Sequence, residues 1–305
     1  MQQHSDYESG ADHAMITVRT VRELRAALRP YRGSGSVGLV PTMGALHDGH
    51  LELARRAKAD NDVVVMSIFV NPTQFNDPSD LAAYPRDEQA DAELAESVGV
   101  DVLFVPSAAE VYPPGFSATI ELHGPIVESL EGARRGAGHF RGVTTVVGKL
   151  FGMAQPDRAY FGQKDAQQAR VVRAMVADLN IDTEIVTVPT VRESDGLAMS
   201  SRNRRLSAAD RAHAVAVSQA LLAGQALAAA GERDAAKVLA AAGAVLAAGG
   251  IEPEYLSLVD ADSFLPVDTL GAGPAVLAVA ADLGGTRLID NVLVEAVLLD
   301  PAERV

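Results

Sequence analysis

The segment 41–50 of this 305-residue chain, Pro-Thr-Met-Gly-Ala-Leu-His-Asp-Gly-His, combines the residue types best suited to chemistry. His47 and His50 lie three residues apart at the predicted start of a helix, so both imidazoles can face one point. Gly44 and Gly49 allow a tight turn and a close backbone approach. Free N–H groups and the positive dipole end at a helix start favour anions, so the segment indicates a phosphate site.

Two other interpretations of the His-x-x-His pair stay open from these two residues alone. The histidines can be capping or surface residues without a function. They can also be zinc ligands, but zinc requires three or four ligands at defined spacing. The chain has no cysteine, and this turn has no third ligand arranged as in His-Glu-x-x-His.

A second candidate lies in residues 161–168, Phe-Gly-Gln-Lys-Asp-Ala-Gln-Gln. Gly162 marks another predicted turn from a strand into a helix, and Lys164 and Gln168 share one predicted helical face. Lysine is a mobile point charge that can follow a phosphate as negative charge accumulates. A lone lysine at a helix start is usually only solvated, but a second strand-to-helix turn in the same predicted sheet favours a function.

Three further segments carry polar side chains in places where a ligand could touch them. Asn71 and Gln74 follow a buried β-branched run, at the end of a strand where parallel sheets bind ligands. Residues 193–203 contain two adjacent hydroxyls, an arginine and an amide, which suit either a polar clamp or a hydrophilic loop between domains. Residues 131–141 are glycine-rich and basic, which predicts a mobile or ligand-ordered loop, with a plain flexible loop as the alternative.

A Rossmann-like parallel α/β sheet with a smaller α+β C-terminal domain is predicted to position these groups. We predict a disordered tail at 1–14, a ligand-binding domain at 15–190 and a C-terminal lid domain at 191–305. Pro41 is expected to end the strand that starts at Val37. Arg287 and Asn291 are interpreted as structural. The other predicted strands are 16–18, 63–70, 102–105, 119–122, 158–161, 183–189, 255–259, 275–281 and 288–297, and the predicted helices include 20–28, 51–59, 143–154 and an alanine-rich set from 207 to 248.

Composition limits the classes of function. The formal net charge of −14 argues against a general nucleic-acid binder, because phosphate backbones require a basic surface. An anionic substrate must then meet a local cluster of cationic groups. The absence of cysteine, of a sufficiently long apolar run and of a signal-peptide pattern predicts a cytoplasmic protein that does not associate with membranes.

The segments 41–50, 68–75, 161–168 and 199–203 together resemble the pantothenate synthetases, a family of the HxGH nucleotidyltransferase superfamily. The resemblance extends from about residue 16 to 298. It implies ATP-dependent joining of (R)-pantoate to β-alanine through a pantoyl-adenylate, which gives pantothenate, AMP and pyrophosphate. Because the carboxylate of pantoate is the nucleophile in this reaction, no protein nucleophile is needed, and none is obvious in the sequence.

The same resemblance assigns roles to individual residues. The groups expected to act on the ATP phosphates are His47, His50, Lys164, Ser200, Ser201 and Arg202. The residues expected at ATP also include Met43, Gly49, Gly162, Asp165, Val191 and Met199, with Asp165 at the ribose. The residues expected at pantoate are Gln74, Gln168, Asn71, Met43 and His139, with Arg135 beside His139 in a flexible wall.

The resemblance also implies Mg²⁺ and a homodimer. Family members can place acidic or amide side chains near Mg²⁺ after Tyr-Pro-Arg; here only Asp91 occupies such a position, beside Ala90 and Leu94. Magnesium often keeps its waters and binds mainly through substrate phosphates, so the ion can be required without a protein ligand.

Two other functions remain as alternatives. One is a nucleotidyltransferase that adenylylates a phosphate monoester; it would share the HxGH loop but would not need Gln74 and Gln168. The other is a nucleotide-binding regulator without turnover, against which the intact His47, His50 and Lys164 argue.

Overall fold

The computed structural model describes residues 14–75 and 78–295, so the predicted tail lies outside the described residues except for residue 14. Within this part of the chain, six parallel strands form one sheet in the order β1-β4-β3-β2-β5-β6. They are β1 (Ile16–Val18), β2 (Val37–Thr42), β3 (Val63–Ile68), β4 (Val102–Phe104), β5 (Arg158–Gly162) and β6 (Glu184–Val188). We call the described residues before 191 the large-sheet region.

Helices cover both faces of this sheet, as its continuous apolar strands require. The helices of this region in the described residues are α1 (Val21–Leu28), α2 (Asp48–Asp60), α3 (Pro78–Ala82), α4 (Glu88–Ser97), α5 (Ala108–Val111), α6 (Pro125–Glu128), α7 (Leu130–Arg135), α8 (Ala137–Ala154) and α9 (Ala166–Asp178). Val65 packs with residues of α1, α8 and α9 on one face, whereas Val64 packs with α2 and α4 on the other. The predicted Rossmann-like parallel sheet is confirmed.

The strand order places the two predicted phosphate motifs next to each other. From β2 the chain adds β3 and then β4 on one side, and it later returns to place β5 against the other side of β2. This reversal is a topological switch point, where a crevice opens beyond the carboxyl ends of the strands. The turns after β2 and β5 both border that crevice.

Residues 191–295, which we call the C-terminal region, have a separate apolar core. Their elements in the described residues are α10 (Ala208–Ala229), α11 (Ala235–Ala248), β7 (Pro253–Asp260), β8 (Ala275–Leu283) and β9 (Thr286–Val294), and the strands form an antiparallel sheet in this order. In the described chain α10 alone is long and apolar enough to cross a membrane by length and composition, but 44% of that stretch is buried. It packs against α11 and β9 as a core helix. The exact boundary at 190/191 stays a prediction.

Three local predictions are wrong. Strand β2 continues through Pro41 to Thr42 and stays paired with β3. The pairing of β2 with β5 involves only Gly38 and Leu39, so the N–H that Pro41 lacks is not needed for a hydrogen bond to β5. Residues 119–122 form no strand, since Ile120 hydrogen-bonds to side chains of α8 instead of a neighbouring strand. Residues 131–141 are not a loop but parts of α7 and α8, separated by Gly136 at a φ of 79°.

A buried ion-pair cluster joins the large-sheet region to the C-terminal sheet. Glu131 of α7 accepts hydrogen bonds from Arg287 of β9 at 2.7 and 2.8 Å, from Arg135 at 2.7 Å and from the hydroxyl of Tyr255 at 2.9 Å. Burial acts to raise the pKa of Glu131, but the hydrogen bonds and charges of the two arginines outweigh it and lower the pKa to about 2. Glu131 therefore stays ionised and fixes the C-terminal sheet beside the crevice.

We expect Glu131→Gln to lower the free energy of unfolding by about 3 kcal/mol at pH 7, because it removes the buried carboxylate that pairs with both Arg135 and Arg287. Urea unfolding measures this loss. The difference from the wild type should shrink as the pH falls from 4.5 towards 2, since the stability contributed by a carboxyl with a depressed pKa is lost as the native state becomes protonated.

The matched control is Glu254→Gln. Glu254 pairs with the same Arg287 at 2.9 Å but is more exposed, so its loss should cost less than about 1 kcal/mol. Equal losses for the two variants would contradict the central role of Glu131 in joining the two regions.

Candidate active site

The loop after β2 places two imidazoles side by side. His47 is the residue that caps α2, and its Nδ1 accepts a hydrogen bond from the backbone N–H of Gly49 at 3.2 Å. The ring centroid of His50 lies 4.1 Å from that of His47. A Cβ at Gly49 would lie 2.9 Å from the His47 ring, so the glycine is required for this arrangement. The capping and the ligand-binding interpretations of His47 are thus compatible.

Both imidazoles are held in the neutral form. Burial is the main cause that lowers the pKa of His47 to about 4 and the pKa of His50 to about 3, and the charge of Lys164 acts in the same direction on both. Because Nδ1 of His47 accepts from Gly49, its proton lies on Nε2. His50 Nδ1 is buried and has no hydrogen-bond partner among the described residues. The loop therefore offers neutral imidazole groups rather than cations.

Asp91 of α4 holds the main chain of the loop that follows β2. Its two carboxylate oxygens accept hydrogen bonds from the backbone N–H groups of Ala45 at 2.9 Å and Leu46 at 2.7 Å, and the residue is only 3% exposed. Gly44 has a φ of 77°, and a Cβ there would lie 2.7 Å from Asp91 Oδ2. The carboxylate is thus engaged with the main chain, and Asp91 is not among the residues that line the cleft. The interpretation of Asp91 as a magnesium ligand is not supported by this placement.

The turn after β5 brings Lys164 to the same cleft. Lys164 lies in a 3-10 turn, Gln163–Asp165, rather than in the helix itself, and Gln168 follows in the first turn of α9. Both line the cleft, so the shift of the helix start does not separate them. The charge of Lys164 also lowers the pKa of both histidines, although less than burial does.

One cleft collects nearly all the predicted residues. Every predicted site residue except Asp91 lines it: Met43, His47, Gly49, His50, Asn71, Gln74, Arg135, His139, Gly162, Lys164, Asp165, Gln168, Val191, Met199, Ser200, Ser201 and Arg202.

Asn71 has a different local task from the predicted contact with a ligand. It is 1% exposed, and its Nδ2 donates to Gln74 Oε1 at 3.0 Å and to the carbonyl of Gly142 at 3.1 Å. Its Oδ1 accepts from the Tyr112 hydroxyl at 2.8 Å. His139 Nδ1 lies 3.1 Å from the carbonyl oxygen of Gln74. Asn71 and His139 therefore hold Gln74, whose side chain faces the cleft.

The polar segment before α10 lines the same cleft. Ser200 Oγ accepts from the N–H of Arg202 at 3.3 Å, and the N–H of Met199 donates to the carbonyl of Val191 at 3.0 Å. Ser201 forms a side-chain hydrogen bond with Tyr84, whose pKa is raised mainly by burial.

Several polar residues that line the cleft were not predicted as site residues from the sequence. They are Tyr84, Glu131, Tyr255, Asp290 and Asn291. Tyr255, Asp290 and Asn291 belong to the C-terminal sheet, and Glu131 was seen only as part of a glycine-rich loop. The one sequence signal for them is the occurrence of charged and amide residues inside the apolar pattern of β9, at Asp290 and Asn291.

No metal cage is present in the described residues. They contain no group of three or more His, Asp or Glu side chains that could hold a metal ion. The zinc interpretation of the histidine pair therefore has no structural support, whereas magnesium, which often binds through substrate phosphates and its own waters, does not need such a group.

The fold and the cleft define a Rossmann-like nucleotidyltransferase. Its candidate phosphate-binding groups are two neutral imidazoles, Lys164 and Arg202 at a switch point, which suit a polyphosphate and a leaving pyrophosphate. The comparisons specify the family: residues 16–293 match the model of the family described as pantoate-beta-alanine ligase. The chain belongs to this family.

Individual relatives agree with this assignment. The pantothenate synthetase of Moorella thermoacetica is 53% identical over 280 residues, which cover 92% of this chain and 97% of the relative. The crystal structure of pantothenate synthetase from Thermus thermophilus superimposes with a TM-score of 0.85 at 47% identity and covers 91% of this chain and 99% of that one. The pantoate-beta-alanine ligase of Francisella tularensis, complexed with beta-gamma ATP and β-alanine, gives a TM-score of 0.75 at 36% identity and covers 92% and 98%.

We expect the rings of His47 and His50 to stay neutral from pH 8 down to about 5, with midpoints near 4 and 3. NMR titration of the imidazole resonances measures this, with His47→Gln and His50→Gln variants for assignment. In the unfolded state both histidines have a pKa near 6.5. Between pH 6.5 and the native pKa, each ring therefore binds more protons in the unfolded state than in the native state. The free energy of unfolding should fall as the pH falls through this range. A midpoint near 6.5 for either ring would contradict this account.

Asp91→Asn should lower the free energy of unfolding by about 2 kcal/mol, the scale of hydrogen bonds to a charged group, and should slow the reaction. The Mg²⁺ concentration that gives half the maximal rate should not change, because Asp91 supports the loop and does not face the cleft. Urea unfolding and a Mg²⁺ titration of the rate measure the two effects. A selective rise in the Mg²⁺ requirement would restore Asp91 as a metal ligand.

The control for this substitution lies on the same helix. Asp87 caps α4 through a hydrogen bond from the N–H of Ala90 at 3.0 Å. Asparagine caps helices as well as aspartate does, so Asp87→Asn should leave both measurements nearly unchanged.

Proposed function

We propose that this cleft catalyses the ATP-dependent condensation of (R)-pantoate with β-alanine to pantothenate, AMP and pyrophosphate, through a pantoyl-adenylate. The observation that carries the proposal is the meeting of two different sets of groups at one switch point. The turns after β2 and β5 supply His47, His50 and Lys164, and Gln74 and Gln168 line the same cleft. The first set suits phosphates, and the second suits the hydroxyls and carboxylate of a small hydroxy acid.

In the first half-reaction, a carboxylate oxygen of pantoate attacks the α-phosphorus of ATP. The bond from this phosphorus to the bridging oxygen breaks, and pyrophosphate leaves with the electron pair. The protein has to align the two substrates and stabilise the charge that develops on the leaving group. Lys164 provides the positive charge, while the neutral imidazoles of His47 and His50 donate hydrogen bonds.

The second half-reaction uses the pocket that holds the acyl group. The neutral amine of β-alanine attacks the acyl carbon and an amide bond forms. The bond from this carbon to the phosphate oxygen breaks, AMP leaves with that oxygen, and the amine nitrogen loses one proton to solvent. Gln74 and Gln168 hold the pantoyl group, Met43 lies alongside, and Asn71 acts by fixing Gln74. His139 and Arg135 form the wall that keeps water from the activated acyl group.

The rest of the cleft suits the nucleotide. Gly49, Gly162, Val191 and Met199 provide main-chain and apolar contacts for adenosine, and Asp165 is placed for the ribose. Ser200, Ser201 and Arg202 close on the phosphates. Mg²⁺ would be held by the phosphates and its own waters, because the described residues contain no group of three or more ligating side chains.

Three wider properties complete the proposal. The protein acts as a homodimer, works in the cytoplasm and binds small molecules rather than nucleic acid. Sedimentation velocity tests the first of these, and a monomer that is fully active would exclude any need for a second copy.

The experiment that tests the proposed function follows an oxygen atom. (R)-Pantoate labelled with ¹⁸O in its carboxylate is incubated with ATP, Mg²⁺ and β-alanine. A pantoyl-adenylate predicts that one ¹⁸O atom appears in AMP and that the other stays in pantothenate. Unlabelled AMP with pantothenate as product would exclude the adenylate, and no product from folded protein would favour another nucleotidyltransferase substrate or a regulator without turnover.

We expect His50→Ala and Lys164→Ala each to lower the rate of adenylation at least ~10²-fold, the scale for loss of a preorganised charge-stabilising group. Single-turnover formation of AMP from labelled ATP measures this rate. Matched controls are His213→Ala, an exposed histidine of α10, and Lys237→Ala, whose ammonium pairs with Glu232 at the surface. Near-normal rates in the two folded cleft variants would remove these residues from the mechanism.

A further inference from the structure

Asn291 of the C-terminal sheet is hydrogen-bonded to the turn that carries Lys164. It is 4% exposed, and its Nδ2 donates to the carbonyl oxygens of Gln163 at 3.0 Å and Lys164 at 2.9 Å. Its Oδ1 accepts from Gln163 Nε2 at 3.0 Å. Both N–H groups and the oxygen of this buried amide are thus directed at two consecutive residues of one turn.

The turn has little side-chain support of its own. It is a single 3-10 turn between β5 and α9, and neither Gly162 before the turn nor Asp165 before α9 makes a side-chain capping hydrogen bond. Short 3-10 segments have poorer hydrogen-bond geometry than an α-helix. The bonds from Asn291 therefore supply an external restraint on the main chain of Lys164, and they come from a sheet that belongs to the other region of the molecule.

The residue before Asn291 holds the second anion-facing segment. Asp290 is 3% exposed and accepts hydrogen bonds from Arg192 at 2.6 and 3.2 Å. Arg192 pairs in an isolated bridge with Ala198, directly before the segment with Ser200 and Arg202. Two consecutive residues of β9 thus fix both the lysine turn and the polar loop relative to the same strand.

We infer that Asn291 is a positioning residue for adenylation, which acts by fixing the main chain of Lys164 so that its ammonium meets the phosphates. This inference rests on the proposed function, because it requires that Lys164 act on ATP. The physical reason for an effect is that a displacement of about 1 Å in a catalytic group can cost ~10²-fold in rate. Asn291→Ala removes the donors of two carbonyls and leaves space into which the turn can shift.

A double-mutant cycle tests the inference with Asn291→Ala, Lys164→Ala and the double variant. The measured quantity is the single-turnover rate of AMP formation from labelled ATP and (R)-pantoate. Asn291→Ala should lower this rate about 10- to 100-fold in the wild-type background. It should change the rate less than about 3-fold when Lys164 is already alanine, because residues that act through each other are not additive. Equal losses in both backgrounds would overturn the inference and indicate a merely structural role.

The affinity for (R)-pantoate is a second readout. Equilibrium binding of (R)-pantoate by Asn291→Ala should stay within about 2-fold of the wild type, since Met43, Gln74 and Gln168 lie outside the turn that Asn291 holds. A general distortion of the cleft would weaken pantoate binding together with the rate. Such a result would also overturn the inference.

The matched control is Gln225→Ala. Gln225 of α10 also donates its amide to strand β9, at the carbonyl of Leu293 with a distance of 2.7 Å, but it does not touch the lysine turn. Gln225→Ala should leave the adenylation rate unchanged, although it removes a hydrogen bond to the same strand. A loss of rate as large as that of Asn291→Ala would contradict the specific link to Lys164.

If Asn291→Ala does not fold, Gln163→Ala replaces it in the cycle, because it removes one bond of the same contact. It should slow the reaction about 3- to 10-fold with Lys164 present and hardly at all without it. Failure of the inference is distinct from failure of the proposed function: wild-type protein that forms no adenylate overturns both. If the wild type forms the adenylate at a normal rate, Lys164→Ala is slow and Asn291→Ala is nearly normal, the inference is overturned and the proposed function stands.

Discussion

The parallel pairing of β2 with β5 is the constraint on which the site depends. The two strands are distant in sequence, and the pairing of Gly38 with Arg158 and of Leu39 with Ala159 aligns them so that their carboxyl ends open on one crevice. The histidine loop and the lysine turn then face the same space. Supports from elsewhere complete the arrangement: Asp91 under the histidine loop and Asn291 behind the lysine turn.

The electrostatics of the cleft differ from those of the protein as a whole. The chain carries a formal net charge of −14, yet the crevice is lined by Lys164 and by two arginines, Arg135 and Arg202. Burial removes the charge of the two histidines and leaves Lys164 as the cation between the two turns. A site of this kind places its positive charge where it can follow the leaving group, and it uses hydrogen bonds from neutral groups for alignment. This division of tasks suits a reaction in which the substrate itself provides the nucleophile.

The sequence predicted the fold class and most of the cleft because short, local patterns carry that information. Glycines at strand-to-helix turns, with histidines or a lysine beside them, predict ligand-binding turns from local sequence, and the resemblance to a known family supplied most of the other cleft residues. The role of Asp91 could not be predicted in this way, since its partners are backbone N–H groups about 45 residues away in the chain. The helices within residues 131–141 were missed because three glycines and several charges favour a loop locally. The packing of α7 beside Arg287, which lies 156 residues away from Glu131, outweighs that preference.

Contributions from the C-terminal sheet were the hardest to foresee. Asn291 and Asp290 occupy a strand whose apolar pattern indicates only a core element, and their interaction with the lysine turn and the polar loop is a property of the docked sheets. The contrast suggests a general division in this fold. The large-sheet region carries the two turns proposed to meet the phosphates, and β9 of the C-terminal sheet holds the lysine turn and the segment that leads to Ser200.

The measurement that tests the central claim most directly is exchange of labelled pyrophosphate into ATP in the presence of Mg²⁺ and (R)-pantoate, with β-alanine omitted. Reversible adenylation in a cleft that stabilises the leaving pyrophosphate predicts exchange that requires pantoate and does not require β-alanine. Exchange without pantoate, or no exchange until β-alanine is added, would contradict the account.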